Sequence, residues 1–408
     1  MKKPVVFIIF NRPDTTAIVF EKIRKYQPKR LFVIADGPRP HKNNENQLCE
    51  ETRSIIQIDW KCETSYIYSN INLGCQKRIS SGLDEVFGEV EDAIILEDDC
   101  VPHDNFFRYC EQLLDEYKNE DRIMTISGTN FQQSNFEIDE SCYVSVFPLC
   151  WGWATWRSAW SKMDVKMEKW KDVKGNDFFK DYGYDIYFEK YWADIFDRVS
   201  CGDINSWAYP WLFSCWYHKG LTIVPRKNLV VNIGFGEDAT HTISDDELLA
   251  NLEIYGLDFP LKLPTSLKRN FEADYYTSEY IFRINILKEH AMIDSMKVNL
   301  FRYLMDIGKL QDLFQTKIYI FGVGELGKMI NNIVKVNGYS IERFIVSKPS
   351  EYNSKIDDIK VIDPSELPLE KIKIIVSIEG KHDRLIIENL KQITKGNLVE
   401  VLSWKDLK

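Results

Sequence analysis

Residues 5–10 form an unbroken apolar run, the pattern of a strand buried on both faces. Helical spacing follows over 14–24, with Ile18, Val19 and Ile23 on one side. A second strand is expected at 31–35, stopped by Asp36-Gly37-Pro38, and a third at 65–68. A helix over 75–87 would gather Ile79, Leu83, Val86 and Phe87, and a fourth strand at 93–96 ends in Glu97-Asp98-Asp99. Phe106, Phe107, Cys110, Leu113, Leu114 and Tyr117 then mark another amphipathic helix. This β-α-β-α rhythm predicts an α/β fold with a mostly parallel sheet covered by helices on both faces.

The middle of the chain, 124–258, is less regular and carries Trp-rich segments at 151–160 and 207–216. From 266 to 314 the pattern is helical, charged and nearly free of Gly and Pro. A fresh β-α pattern then begins at Lys317, with strands expected at 318–321, 341–346, 372–377 and 398–402. The expected organisation is a first domain over 1–262, a helical connector over 263–314 and a small Rossmann-like domain over 315–408.

Composition changes this picture in a few places. A chain of 408 residues is too long for one ordinary core, and 44 % hydrophobic residues are too many for disorder. Trp, Tyr and Phe crowd between Phe147 and Tyr217; that crowd reads either as a sugar-binding cleft or, favoured by composition alone, as a large core. The formal net charge of -10 argues against a duplex-binding protein, so nucleic acid is not an expected partner. Nine cysteines without a CxxC pair read as reduced, mostly buried thiols and speak against structural zinc. Met1-Lys2-Lys3 and the apolar run after it imitate a signal peptide, but the run stops at Asn11-Arg12-Pro13. No other stretch reaches the roughly 20 apolar residues that span a bilayer. The expected place is therefore the cytoplasm, with peripheral contact on the inner face of a membrane as the furthest alternative.

Ligands of open α/β sheets bind at the carboxyl ends of the strands. The polar residues there are Asn11-Arg12, Asp36-Gly37, residues 70–74 with Asn72 and Gly74, and Glu97-Asp98-Asp99. An Asp can accept from a base or ribose, and an Arg can face a diphosphate. Acidic residues after the fourth strand can hold a divalent metal. Any one of these could be a turn residue; their ordered recurrence is the signal.

Ile94-Ile95-Leu96-Glu97-Asp98-Asp99, followed by Pro102 and Phe106-Phe107, resembles the acidic DxD-type motif of GT-A glycosyltransferases. The version is the Glu-Asp-Asp found in N-acetylglucosaminyltransferase I and in bacterial family 2-like enzymes. The opening 5–13, Asp36-Gly37 and Asn72-Leu73-Gly74 are similar to donor-binding elements of those enzymes. Trp151-Gly152-Trp153-Ala154-Thr155-Trp156 and the segment 234–241 look like parts of bacterial surface-polysaccharide transferases. The resemblance implies a GT-A type sheet and Mn²⁺ or Mg²⁺ held by Asp99, with His241 as a second ligand. It also implies a nucleotide-sugar donor, most simply a UDP-sugar, bound by Asn11, Arg12, Asp36, Asn72, Gly74, Arg78, Glu97 and Asp98. The acceptor would be a glycan, a lipid-linked or a protein hydroxyl, with inverting stereochemistry; a homo-oligomeric assembly stays open.

Inverting transfer needs a carboxylate to take the acceptor proton. Asp203 stands just before the second Trp-rich segment, but Trp207-Ala208-Tyr209-Pro210-Trp211 contains no carboxylate. Asp203, Glu237 and Asp238 therefore stand as rival bases, and Asp203 could equally be a helix-capping residue. Gly322-Val323-Gly324-Glu325-Leu326-Gly327 lies between strand and helix as a dinucleotide fingerprint would, yet no acid follows the next strand. That unit resembles small Rossmann-like domains appended to bacterial polysaccharide enzymes. Two other functions compete. A sugar-nucleotide nucleotidylyltransferase would need a Gly-rich loop where Asn11-Arg12-Pro13-Asp14 has no glycine, and a non-catalytic nucleotide-sensing scaffold would centre on 322–327.

Overall fold

The computed structural model describes residues 2–132, 136–183, 185–234, 252–306, 308, 310–349, 354–356, 358–368, 370–377, 383–393 and 399–402. Two compact units divide the chain, Met1–Asn285 and Ile286–Lys408. The fold is mixed α/β, with a large, mostly parallel sheet flanked by helices and a second, smaller sheet.

In the first unit the strands β1 (Val5–Ile9), β2 (Arg30–Ala35), β3 (Glu63–Tyr68) and β4 (Asp92–Glu97) alternate with α1 (Pro13–Tyr26), α2 (Glu45–Ser54) and α3 (Cys75–Glu89). A short β5 (Cys100–Pro102) and α4 (Asn105–Glu116) follow. The sequence places the central strands well because they had to be apolar: every residue of β1 is buried, whereas edge strand β3 is only partly covered. Four more strands then complete the sheet, β6 (Ile123–Ser127), β7 (Cys142–Ser145), β8 (Trp153–Trp156) and β9 (Leu221–Pro225); β8 runs antiparallel to β4 and β6, β9 parallel to β6, and β7 antiparallel to β9. The order is β3-β2-β1-β4-β8-β6-β9-β7, with β1 parallel to both β2 and β4. The chain winds outward from β1 to β3 and returns to β4 on the other side of β1. Ligands of such sheets sit where the winding reverses, outside the carboxyl ends of β1 and β4.

The aromatic crowd is core. Trp153, Trp170, Trp192, Trp211 and Trp216 are fully buried. Trp192, Trp216, Phe147, Phe196 and Phe213 form one cluster with Ala273 and Ile284. The stretch 263–314 is thus divided: the helix Phe271–Tyr276 packs within the first unit.

Asp274 in that helix is fully buried. It accepts from Arg269 Nε at 2.8 Å, from Ser145 Oγ and from the Val146 amide at 3.3 Å. Burial nevertheless pushes its carboxyl up to about 6, with Arg269 and then Ser145 opposing. A raised carboxyl keeps its proton in the native state after the unfolded chain has lost it. The Asp274 contribution therefore falls as pH rises from about 4 to about 6 and is flat above. Thermal melts should show that decline in the wild type, and Asp274→Asn should remove this component. An identical pH slope in the variant would contradict the assignment.

In the second unit β11 (Lys317–Phe321) lies between β12 (Arg343–Ile345) and β15 (Ile372–Val376). The order β13-β14-β12-β11-β15-β16 adds β13 (Lys355–Ile356), β14 (Ile359–Ile362) and β16 (Val399–Leu402). Residues Val298, Phe301 and Met305 of the helix Ile284–Asp306 pack into this unit's core. A Cβ on Gly327 would collide with the Gly322 carbonyl oxygen and stand 3.0 Å from Ser377 Oγ. The last glycine of the 322–327 turn thus lets helix and strand approach closely, whatever else the turn does. Among the described residues, no helix is long and apolar enough to cross a membrane.

Candidate active site

Register sets the site. Ile9 of β1 is level with Ala35 of β2, and Ile8 with Glu97 of β4. The residues that follow, Asn11-Arg12, Asp36-Gly37 and Asp98-Asp99, are therefore brought to one rim.

Glu97-Asp98-Asp99 turns the chain from β4 into β5. Asp98 is buried, and its Oδ2 accepts from the Phe10 amide at 3.1 Å. Burial, then Asp99, raises the Asp98 carboxyl, with Arg12 opposing. Glu97 is raised by burial and by the charges of Asp99 and Asp98, while Arg12 and the Trp207 indole N–H lower it. Three consecutive carboxylates thus leave an excess of negative charge that the protein only partly offsets. Arg12, just before α1, supplies the nearest cation: its Nη1 lies 2.7 Å from Asp99 Oδ2 and 3.9 Å from Asp98 Oδ1.

The β10 strand (Val230–Asn232) pairs antiparallel with β5, placing Asn232 opposite Cys100. The Ile233 amide donates to the Asp99 carbonyl at 2.8 Å, and the Gly234 amide to Asn232 Oδ1 at 2.7 Å. A Cβ at Gly234 would strike Asp99 Oδ2 and approach Arg12 Nη1 to 2.7 Å. The Gly234 backbone thus lies close against the Arg12–Asp99 pair, and a side chain there would have to displace one of the two side-chain ends.

On the β2 side the side chains are engaged with the loop backbone. Asp36 Oδ1 accepts from the Gly37 amide at 2.9 Å and the Leu73 amide at 2.9 Å, and Oδ2 accepts from the Gly74 amide at 2.9 Å. Asn72 Nδ2 donates to the Gly37 carbonyl at 2.8 Å. A Cβ on Gly37 would lie 2.6 Å from the Ile71 nitrogen. Asp36 and Asn72 therefore lock the loop after β2 to the loop after β3. Gly74, at φ 80°, opens α3, where Asn205 Oδ1 accepts from the Gln76 amide at 2.9 Å. Asn11 Nδ2 donates to Glu45 Oε1 at 3.0 Å; Glu45 is buried and also paired with Arg39. Arg78 is buried, with Nε lacking a hydrogen-bond partner, and its nearest acid is Glu85 at 3.7 Å, seven residues further along α3.

Asp203 is exposed, its amide donating to the Arg198 carbonyl at 2.8 Å at the end of α7 (Ile186–Ser200). Trp207, not Asp203, occupies the capping position of the next helix, so the capping alternative does not hold. Two residues after Asp203, Asn205 ties the same loop to α3; Trp207 stacks on Trp153 at 5.3 Å and reaches Glu97. Glu237, Asp238 and His241 lie outside the described residues. Sequence reasoning missed Arg39, Glu45, Asn205 and Trp207. Only Asn205 and Trp207 carried a signal, as neighbours of Asp203.

Among the described residues, no group of three or more His, Cys, Asp or Glu side chains is placed to enclose a metal ion. Asp99, with its side chain 15 % exposed at the rim, offers hard oxygen. One or two protein carboxylates suffice for a small hard cation that takes its remaining ligands from water and phosphate. The donor chemistry of the site fits such a cation.

The sequence matches no family model and no curated protein. Among solved structures it is similar to a cytidylyltransferase from Leptospira borgpetersenii serovar Hardjo-bovis (strain JB197), at 15 % identity and TM-score 0.25, over 40 % of this chain and 64 % of that one. It is similar to UDP-glucose pyrophosphorylase complexed with UDP-glucose, at 13 % and 0.22, over 36 % and 63 %. A third is the mannosyltransferase PcManGT from Pyrobaculum calidifontis in complex with GDP-Man and Mn2+, at 8 % and 0.30, over 53 % and 70 %. The chain spans just under two thirds of the first two structures. Likenesses at these TM-scores assign no reaction to this chain.

Proposed function

We propose that the first unit binds a nucleotide sugar and transfers the sugar to a hydroxyl of a glycan, lipid-linked or protein acceptor, releasing a nucleoside diphosphate. The observation that carries this reading is the acidic run Glu97-Asp98-Asp99 beside the Arg12 guanidinium at the β1/β4 reversal of the sheet. A phosphate-bearing ligand there would meet the Arg12 guanidinium and carboxylates able to hold a second cation. The resemblance described above adds UDP-sugar as the donor and inversion as the outcome.

In this reading Arg12 faces the diphosphate, and Asp36 and Asn72 act through the loop backbone they fasten together. Asp99, with Asp98 beside it, would hold Mn²⁺ or Mg²⁺, which when bound would supply positive charge against the departing diphosphate. The acceptor oxygen forms its bond to the anomeric carbon as the bond to the diphosphate oxygen breaks. The leaving nucleoside diphosphate keeps that electron pair, and a carboxylate takes the acceptor proton. Incubation with Mn²⁺ and a panel of nucleotide sugars tests the reading. Release of free nucleoside diphosphate supports it. Exchange dependent on pyrophosphate would replace it by nucleotidylyl transfer, and binding without turnover by a sensing role.

Asp203 is the base proposed within it, on an exposed loop tied to both α3 and the acidic run. Asp203→Asn should lower turnover by about 100-fold, the size of lost general-base help, with donor affinity unchanged. Glu237→Gln and Asp238→Asn are the controls. A near wild-type Asp203→Asn beside an inactive control moves the base to the segment after Gly234.

A further inference from the structure

The nearest cation to the proposed metal ligand is a protein side chain, and it holds one of that ligand's two oxygens. Arg12 Nη1 lies 2.7 Å from Asp99 Oδ2. The other oxygen, Oδ1, is 3.5 Å from Cys100 Sγ, within its own turn. The Gly234 backbone lies close against the pair. Neighbouring Asp98 Oδ2 is held by the Phe10 amide. The pair is also shielded, with side chains 21 % and 15 % exposed, so its attraction is not lost to solvent.

A divalent cation must come within about 2.0–2.2 Å of a carboxylate oxygen, inside the space the guanidinium fills. Two cations cannot share that oxygen without strong repulsion. The backbone of Arg12 is held, its carbonyl accepting from the Thr16 amide at 3.0 Å as α1 begins, so the exchange falls to the side chain.

We propose that Arg12 and the divalent cation are alternative partners of Asp99 Oδ2, and that a nucleoside diphosphate draws Arg12 from Asp99 to its own phosphates. Nucleotide and metal then bind as a coupled pair: the diphosphate removes a competing cation from the metal ligand while bringing phosphate oxygens to the metal. By reciprocity, metal tightens nucleotide by the same factor. This inference rests on the donor and metal reading of the site given above.

The test is Mn²⁺ binding by the full chain, followed by the electron paramagnetic resonance signal of free Mn²⁺, with and without UDP. Arg12→Gln should bind Mn²⁺ about 10-fold more tightly than wild type without nucleotide, as expected for losing a partly buried charge competitor. The tightening that UDP produces should shrink about 10-fold in the variant. Arg39→Gln removes another rim charge, but one paired with Glu45, and should leave Mn²⁺ affinity near wild type. Wild-type affinity in Arg12→Gln overturns the exchange. Equal tightening in Arg39→Gln also overturns it, because the effect would then be the general field. If Arg12→Gln folds poorly, Arg12→Lys serves, with a rise of about 3-fold expected and wild-type affinity again overturning the idea. Failure of every form to bind Mn²⁺ even with UDP sinks the donor and metal reading itself. Synergistic UDP and Mn²⁺ binding that is untouched in Arg12→Gln leaves that reading standing and removes only the exchange.

Discussion

Asp99→Asn should reduce sugar transfer by about 1,000-fold or more while the protein melts at or above the wild-type temperature. The size follows from the several kcal/mol a Lewis acid supplies against charge on a departing oxyanion. Asparagine keeps the shape of Asp99 but loses the anionic oxygen. The stability half of the expectation comes from the neighbours. Asp99 is a named cause of the raised carboxyls of Glu97 and Asp98, so neutralising it relieves two crowded groups. It also leaves Arg12 without its closest acid, but Arg12 is 21 % exposed and stays 3.9 Å from Asp98 Oδ1. Relief and loss are of similar kind, and the melting temperature should not fall. Two measurements decide it: turnover with Mn²⁺ at saturating donor, and a melt near pH 8, where the crowded carboxylates cost most. Full turnover in a folded variant sinks the metal assignment. Lost turnover with a large drop in melting temperature would make Asp99 a structural residue.

The parts of this site that were legible in the sequence were those dictated by burial along one strand. Residues 5–10 had to be a central strand because a continuous apolar run has no wet face, and 93–96 followed the same rule. Their ends, Asn11-Arg12 and Glu97-Asp98-Asp99, then fell on one rim through topology alone. The illegible parts depend on which loops become neighbours. Asp36 reads as a ligand group; that its oxygens take the amides of Gly37, Leu73 and Gly74 was not legible, because it depends on the parallel pairing of β2 with β3 that brings those loops together. Arg78 is a donor contact only by the resemblance. One helical turn after Gly74 it is buried, with its nearest acid at Glu85. The α2 helix is polar along nearly its whole length and gave no apolar period to detect, so buried Glu45, its partner Arg39 and the bond Glu45 takes from Asn11 went unseen. The antiparallel strands β7 and β9 pair across about 80 residues, and no local pattern announces such a register.

Asp36→Ala should then damage the fold of the rim as well as its chemistry. The carboxylate accepts from three backbone amides, and alanine leaves all three without it. Each bond from an amide to a charged acceptor contributes about 1.5–3 kcal/mol, so a loss of about 3–5 kcal/mol is expected once water reaches part of the loop. The Asn72 bond to the Gly37 carbonyl and the Arg53 bonds to the carbonyls of Asp36 and Ser69 remain, which keeps the loss local. Nucleotide affinity should fall by about 100-fold or more, because the loop from Leu73 into α3 no longer has a fixed distance from the end of β2. Asp36→Asn separates shape from charge: its amide can accept at one oxygen but not at both, so it should lie between alanine and wild type in melting temperature and in nucleotide affinity. A direct ligand role predicts another ordering, in which asparagine melts like wild type and loses affinity as fully as alanine. Denaturant melts and UDP titrations on the two variants therefore distinguish a residue that shapes the donor loop from one that touches the donor.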